Sequence, residues 1–190
     1  SGSDLVRNMA TVGGNIVNGS PIGDVSIFFT ALGGTVLLSK DGARREVPCQ
    51  DFFVGYKTTA IEPGELMEGV RFQVPDERTR YSFEKISKRQ HLDMAVVNSA
   101  MSVRLDGRTI EWASYAVGGL GATIRYLADT VDFLQGRTID NMTFHQANEI
   151  AQGEVSPRSR PEYKRLLVRQ QLFLHLQRFA PDALTPEVLR

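Results

Sequence analysis

The sequence AVVNSAMSVRLDGRTIEWASYAV at residues 95–117 carries the clearest structural signal in the chain. Two stretches rich in apolar residues, 95–105 and 109–117, flank Asp106-Gly107, and such a pair between two strands is typical of a tight hairpin turn. We therefore predict two long antiparallel strands here. Upstream, residues 81–88 alternate polar and apolar side chains, which predicts a third strand with one buried face.

Beyond Gly121 the spacing of apolar residues changes from that of a strand to that of a helix. A first helix is predicted from the stripe Ile124, Leu127, Val131 and Leu134. Thr143 and Gln146 have the spacing of a capping box, which predicts that a second helix begins at Thr143. Pro161 is typical of the first turn of a helix and predicts a long third one. Strands followed by helices indicate the α+β class.

The first 75 residues contain shorter elements. Residues 6–20 are rich in Gly, Asn and Ser, so turns and loops are predicted there. Residues 24–32 have an acidic start and an apolar body and precede two glycines, which predicts a short helix with Asp24 as its N-cap. An Asp41-Gly42 pair predicts a type I′ turn between two strands. The predicted strands of this half are residues 35–39, 44–47 and 66–74.

The composition is that of an ordinary globular protein, with 190 residues, 42% of them hydrophobic. The 22 basic and 22 acidic residues balance, so no basic footprint for nucleic acid is present. A single cysteine, Cys49, excludes an internal disulfide and an iron–sulfur cluster held by this chain. His91, His145 and His175 lack metal-ligand spacing. Apolar runs are too short for a membrane span, and we predict a cytoplasmic protein without a metal site.

A cluster of glycines near the start is the strongest candidate for a binding site. In ATVGGN, the paired glycines at 13 and 14 let backbone N–H groups approach a phosphate closely, and Thr11 and Asn15 add hydrogen-bonding groups. Asp24 is suited to accept hydrogen bonds from ribose hydroxyls. A Gly-Gly-Asn sequence is also common in ordinary turns and bulges. It matches neither a GxGxxG fingerprint nor a P-loop.

The segment TVGGN at 11–15, followed by SPIGD at 20–24, resembles the second glycine motif of the FAD-binding domain of molybdenum hydroxylases. This family includes xanthine dehydrogenase and the medium subunit of CO dehydrogenase. Five further segments resemble family motifs in the same order: FFVGYKT at 52–58, ELM with VR at 65–71, FEK with Arg89 and Asp93, VGG with TIR at 117–125, and SPR with EYK at 156–164. The FFVGYK and FEKISKR segments favour a xanthine dehydrogenase-type small subunit.

The resemblance implies two domains. Residues 1–77 would form the second half of the FAD-binding domain, a mostly antiparallel sheet with short helices. Residues 78–190 would form the C-terminal domain, a three-stranded sheet packed on a three-helix bundle. In the family, a first FAD subdomain precedes these parts, and in xanthine dehydrogenase-type small subunits a helical Fe–S domain precedes that subdomain. Ser1-Gly2-Ser3 resembles a cleavage scar, so we expect an N-terminally truncated fragment.

The resemblance also implies roles for single residues. The FAD pyrophosphate would be held by Thr11, Gly13, Gly14 and Asn15. Asp24 would bind on the adenosine ribose side, and Met67 would lie beside the flavin or the adenine. Lys85 would lie near the isoalloxazine ring, where a cation stabilises the negative charge of reduced flavin. NAD would be received near Tyr56 and Asp93. No general acid or base is expected.

The resemblance thus implies an oxidoreductase module that passes electrons from 2Fe–2S clusters through FAD to NAD. The Fe–S domain and a molybdenum-binding subunit carrying molybdopterin would be its partners in a hetero-oligomer, and the substrate oxidised there would be a purine. One alternative is a non-catalytic domain without flavin that assembles subunits through its sheet and its C-terminal helices. A second alternative is a nucleotide-binding domain unrelated to flavin.

Overall fold

The computed structural model describes Gly2 and residues 4–89 and 94–189, and three antiparallel strands form the frame of its first half. The strands of this half are β1 (Thr35–Lys40), β2 (Ala43–Pro48), β3 (Phe53–Gly55), β4 (Thr58–Thr59) and β5 (Leu66–Arg71). Strand β1 lies between β2 and β5, and β3 pairs with β4 in a separate hairpin. Asp41 and Gly42 have φ angles of 50° and 83°, so the β1–β2 turn has the two positive φ angles of the predicted type I′.

Four short helices accompany this sheet: α1 (Asp4–Met9), α2 (Val12–Val17), α3 (Asp24–Ala31) and α4 (Cys49–Phe52). Helix α2 packs against both α3 and β5. The apolar core of this half includes Ile16, Ile27 and Phe52, which are fully buried. These side chains come from three different helices, so the core fixes the helices to one face of the sheet.

The second half contains the hairpin predicted from residues 95–117. Strand β6 (Thr79–Ser87) pairs with β7 (Ala95–Asp106), β7 pairs with β8 (Thr109–Gly118), and a two-residue strand β9 (Arg125–Tyr126) extends the far edge. All of these pairs are antiparallel. Helices α5 (Ala128–Leu134), α6 (Asn141–Glu154) and α7 (Pro161–Phe179) follow, and a 3₁₀ helix (Pro186–Leu189) ends the described chain.

The two faces of the β6–β8 sheet pack against different partners. Met101, Val103 and Tyr115 point toward the C-terminal helices and belong to one large core. Ala100 and Ala116 pair across the strands on the opposite face and belong to the core of the first half. Small side chains there let α3 lie close against β7 and β8. The sheet therefore has a layer on each side, and the predicted α+β class is confirmed. The predicted three-stranded sheet has a short fourth strand, β9, and of the three helices α5 and α7 pack on the sheet while α6 packs on α5 and α7.

Several local predictions were wrong. Residues 6–20 contain the end of α1 and the whole of α2, and α2 is stabilised by the hydroxyl of Thr11, which caps the turn that begins at Val12. The N-cap of α3 is Gly23 rather than Asp24, which is the first helical residue. Helix α6 begins at Asn141, and Asp140 caps it by accepting from the Thr143 amide, which leaves Thr143 inside the helix.

The first helix of the second half also begins later than its apolar stripe predicted. Ile124 precedes β9 and packs in the core of the first half, whereas Leu127, Val131 and Leu134 pack in the second core. Among the described residues, no helix is both long enough and apolar enough to cross a membrane. Within the same residues, no group of three or more His, Cys, Asp or Glu side chains is arranged to hold a metal ion.

Candidate functional site

Helix α2 carries the paired glycines in its first turn. The Thr11 hydroxyl accepts a hydrogen bond of 2.9 Å from the amide of Gly14, and the Asn15 amide donates to the Thr11 carbonyl at 3.1 Å. Amides of Val12 and Gly13 have no acceptor within the helix, since they precede the first residue that can bond back. A Cβ atom at Gly13 would meet nothing within 4 Å, so space is open beside this turn.

Asn15 joins α2 to α3. Its Oδ1 accepts from the backbone amide of Ser26 at 3.2 Å and lies 3.3 Å from the Ser26 hydroxyl. Ser26 is the third residue of α3, and Gly23, the N-cap residue, has no side chain to cap this turn. Asn15 therefore supplies from another helix the acceptor that an N-cap side chain normally provides.

Asp24 connects the two halves of the molecule. Its Oδ2 lies 2.7 Å from Nζ of Lys85, and its Oδ1 accepts a hydrogen bond of 2.8 Å from Nδ2 of Asn98. The Asp24 and Lys85 side chains are 12% and 24% exposed, and Asn98 is fully buried. Asp24 is in α3, whereas Lys85 and Asn98 face each other on β6 and β7. The sheet thus brings together two of the predicted site residues, 61 positions apart in sequence.

An apolar cleft of about 420 Å³ opens beside this ion pair. The residues that line it come from α2, α3 and β6: Val12, Asp24, Val25, Phe28, Phe29, Tyr81 and Phe83. Phe28 and Tyr81 pack with their ring centroids 5.0 Å apart. Burial raises the pKa of the Tyr81 phenol, so this hydroxyl stays protonated. The first turn of α2 and the Asp24 carboxylate therefore border one cleft.

The Gly118-Gly119 pair fits against the turn that leads into α3. The Gly119 amide donates to the Pro21 carbonyl at 2.9 Å, and Gly119 has φ +83°. At Gly118 a Cβ atom would lie 2.7 Å from that carbonyl and 2.4 Å from Oδ1 of Asn98. Two glycines let the chain approach this closely. The VGG segment thus packs closely against the chain just before α3.

The other predicted residues lie farther from the ion pair. Met67, on β5 opposite Leu38, is half-buried and packs against the core of the first half, outside the lining of the cleft. Tyr56 is 64% exposed at the β3–β4 turn. The next residue of that turn, Lys57, approaches Gly19 just after α2. Asp93 lies outside the described residues, as does His91.

The groups around this cleft fit FAD. A dinucleotide needs backbone N–H groups for its diphosphate, an acceptor for ribose hydroxyls and apolar surface for its rings. The first turn of α2 has amides without an intrahelical acceptor, Asp24 is a carboxylate, and the cleft is mostly apolar. Each oxygen of Asp24 already accepts one hydrogen bond from the protein, and a carboxylate oxygen has room for a second.

Sequence reasoning missed Asn98. The only signal was a polar residue inside a strand that was otherwise expected to be buried, in VVNSAM. A buried amide in such a place needs hydrogen-bond partners, and its partners here are the Ile22 carbonyl at 3.1 Å and Asp24. Ile22 lies just before α3 and Asp24 is its first residue, and only the packing of the two halves brings them close to Asn98.

The amino-acid sequence matches two protein families. Residues 1–76 match the FAD binding domain in molybdopterin dehydrogenase, and residues 82–179 match the CO dehydrogenase flavoprotein C-terminal domain. Together the two matched segments extend over most of the chain; the first ends after β5 and the second begins within β6.

Individual proteins show the same similarity. The chain is 32% identical to xanthine dehydrogenase of Drosophila pseudoobscura pseudoobscura over 182 residues, which cover 88% of this chain and 13% of that protein. It is 30% identical to the carbon monoxide dehydrogenase medium chain of Afipia carboxidovorans over 154 residues, covering 81% of this chain and 53% of the medium chain.

Among solved structures, a chain of reconstituted CO dehydrogenase from Oligotropha carboxidovorans superimposes with a TM-score of 0.87 and 27% identity. The match covers 93% of this chain and 63% of the solved chain. This chain therefore spans less than two thirds of the proteins that it matches.

Proposed function

Because this chain belongs to the family of FAD-binding flavoprotein domains of molybdenum hydroxylases, we propose that it is the FAD-binding electron-transfer module of a xanthine dehydrogenase-type enzyme. The observation that supports this proposal is one apolar cleft that is lined both by Val12, in the first turn of α2, and by Asp24, whose carboxylate pairs with Lys85. When bound, FAD accepts electrons one or two at a time, which lets it connect one-electron and two-electron partners.

In this proposal the residues of the chain bind and orient the cofactor. Thr11 accepts a hydrogen bond from the Gly14 amide and so keeps the first turn of α2 in shape, with the amides of Val12 and Gly13 left to face the diphosphate. Asn15 fixes that turn to α3, and Asp24 accepts from ribose hydroxyls. Lys85 contributes positive charge to the site. Its ammonium group is only partly neutralised by Asp24 when the Asp24 carboxylate also accepts hydrogen bonds from other groups. Met67 would contribute apolar surface at the edge of the same site.

The first experiment tests for flavin in the complete gene product that contains this chain. We expect that adding FAD produces the absorbance of a bound flavin, with bands at about 370 and 450 nm. Tighter binding of ADP than of FAD would support a nucleotide site unrelated to flavin. A protein that stays colourless, and whose complex with its subunits does not depend on Lys85, would support the assembly alternative instead.

NAD is proposed as the electron acceptor, with Tyr56 and Asp93 near the face that receives it. The 64% exposure of Tyr56 leaves its ring accessible to a ligand. Replacing Tyr56 by Ala should lower the rate at which NAD reoxidises the reduced flavin. Val54, which is 61% exposed in the same hairpin, gives a matched control as Val54→Ala. Equal reoxidation rates in both variants and the wild type would contradict a role for Tyr56.

The partners and the substrate follow the same proposal. An Fe–S domain would deliver electrons from 2Fe–2S clusters, and a molybdenum-binding subunit with molybdopterin would oxidise a purine in the assembled hetero-oligomer. The relatives also include a carbon monoxide dehydrogenase medium chain, so the substrate needs its own test. Anaerobic addition of xanthine to the complete enzyme should bleach the flavin absorbance, and bleaching by carbon monoxide instead would contradict the purine proposal. A cytoplasmic location stays a prediction.

A further inference from the structure

A single row of residues crosses the β6–β8 sheet beneath the start of α3. Lys85 on β6 pairs with Asn98 on β7, and Asn98 pairs with Gly118 on β8. Paired residues on neighbouring antiparallel strands point to the same face of a sheet. The row therefore presents an ammonium group, an amide and an open position to the turn that carries Asp24.

The Asn98 amide makes two hydrogen bonds to that turn. Its Nδ2 donates to the Ile22 carbonyl at 3.1 Å and to Oδ1 of Asp24 at 2.8 Å, so both of its N–H groups are used. Asn98 is fully buried, and its Oδ1 has no hydrogen-bond partner among the described residues. A buried amide with an unsatisfied oxygen is costly, so packing alone does not account for asparagine at this position.

The Asn98 amide orients the carboxylate of Asp24. A carboxylate on a short side chain can rotate unless both of its oxygens are held. Asn98 holds Oδ1, which directs Oδ2 toward Lys85, where the two atoms Oδ2 and Nζ are 2.7 Å apart. The absence of a side chain at Gly118 leaves room for this arrangement, since a Cβ atom there would lie 2.4 Å from Oδ1 of Asn98.

We propose that Asn98 is a positioning residue of the flavin site: its amide fixes the rotation of the Asp24 carboxylate and thereby the pairing and charge balance of Lys85. This inference rests on the proposed function for its consequence on FAD. Without the amide, Asp24 turns away from Lys85, so the ammonium group is less neutralised and the carboxylate is less well oriented toward a ribose. FAD should then bind more weakly, and the reduction potential of bound flavin should rise because reduced flavin is the more negative form.

The test compares Asn98→Leu, Asp24→Asn and the double variant in a double-mutant cycle. The first measurement uses the protein without flavin and follows the side-chain ¹⁵N resonance of Lys85, which reports its ion pair. Asn98→Leu should move this resonance toward that of an unpaired lysine in the wild-type background. It should have no further effect when Asp24 is already replaced, because the amide acts through the carboxylate.

The second measurement uses FAD. Asn98→Leu should weaken FAD binding about tenfold, as expected for one lost hydrogen bond to a charged group, and should raise the flavin reduction potential. Ser102 is a matched control, since it is buried on the same face of β7 and lies outside the proposed site. Ser102→Ala should leave both FAD binding and the Lys85 resonance unchanged.

The outcomes separate the two proposals. An unchanged Lys85 resonance in Asn98→Leu, or an equal change in both Asp24 backgrounds, would overturn the positioning role whether or not FAD binds. A wild-type protein that takes up no FAD would contradict the proposed function, and the resonance would still decide the role of Asn98. If Asn98 has only a structural role, Asn98→Leu will lower the stability of the protein and leave the reduction potential of bound flavin unchanged.

Discussion

The hydroxyl of Ser99 lies 2.8 Å from Nε2 of His175, and this contact joins β7 to the last helix inside the larger core. Both residues are fully buried, and the ring of Tyr115 stands edge-on to the imidazole with centroids 5.6 Å apart. Gln171, one helical turn earlier, donates to the Val97 carbonyl at 3.3 Å. The polar contacts fix how α7 lies on the sheet.

Burial makes His175 a source of acid sensitivity. Loss of solvent, with a smaller contribution from the nearby charge of Arg178, lowers the pKa of His175 from 6.5 to about 3. Below pH 6.5, His175 therefore binds a proton in the unfolded chain but stays neutral in the folded chain until the pH approaches 3. The stabilisation is fully present above pH 6.5 and is lost as the pH falls toward 3, by at most about 1.4 kcal/mol per pH unit for one proton.

Urea unfolding between pH 7 and pH 4 measures this effect. His175→Leu should flatten the dependence of the free energy of unfolding on pH in that range, while also lowering stability at pH 7 because Ser99 loses its partner. Exposed His145 provides the control, and His145→Gln should keep the wild-type slope. A wild-type slope in His175→Leu would show that other groups cause the acid sensitivity.

Asn15 can be tested for two roles with two substitutions. Asn15→Ala removes the acceptor for Ser26 in the first turn of α3 and should cost about 0.5–2 kcal/mol of stability, as lost N-caps do. Asn15→Asp keeps an acceptor, so its stability should stay near that of the wild type. The added negative charge beside a diphosphate should nevertheless weaken FAD binding. Urea denaturation and a fluorescence titration with FAD measure the two effects, and tight FAD binding by Asn15→Asp would place the diphosphate elsewhere.

Gly118→Ala should disturb the joint between the two halves. The new Cβ atom would lie 2.4 Å from Oδ1 of Asn98, 2.5 Å from Cδ1 of Ile27 and 2.7 Å from the Pro21 carbonyl oxygen. Relief of such overlaps typically costs about 1–3 kcal/mol. Gly121→Ala is the matched control, because its Cβ atom would meet nothing within 4 Å, and its effect should stay within about 0.5 kcal/mol. Equal thermal stability of the two variants would contradict the tight approach at Gly118.

Glu154 should stabilise the start of α5. Its carboxylate accepts from the Asp129 amide at 3.0 Å and from the Thr130 amide at 2.9 Å, while the N-cap residue Leu127 offers no side-chain acceptor. Glu154→Ala should therefore lower the free energy of unfolding by about 1–2 kcal/mol. Glu149→Ala, an exposed change on the same helix, should have little effect on the urea midpoint. A comparable loss in both variants would show that the effect does not come from the contacts of Glu154 with the start of α5, because alanine itself favours a helix.

Local patterns predicted the strands of this protein better than its helix ends. The Asp-Gly pairs at 41–42 and 106–107 predict hairpins, because a tight turn between two strands needs residues that adopt a positive φ. Both hairpins are present. The Gly-rich composition of residues 6–20 predicts loops because glycine disfavours helices on average. The cap from Thr11 and the packing of α2 on α3 and β5 outweigh that preference, and neither is visible in composition.

The candidate site, too, could be predicted only in part from the sequence. Lys85 and Asp24 could be singled out by their place in ordered motifs, but not as an ion pair, and their role in binding FAD stays a prediction. Asn98 had no motif at all. Its role depends on its contacts with Ile22 and Asp24, and these contacts depend on how α3 packs on the sheet.

The order of motifs along the chain, the alternation of strands and the turn-forming pairs were all set by the sequence alone, because each depends on residues close together. They determined the α+β class and the family resemblance. The tertiary structure alone decided that Asp24 contacts both Lys85 and Asn98 and that Asn15 caps a helix to which it does not belong. The physical reason is that these contacts join groups 11 to 74 positions apart, which only the packed cores bring within hydrogen-bonding distance.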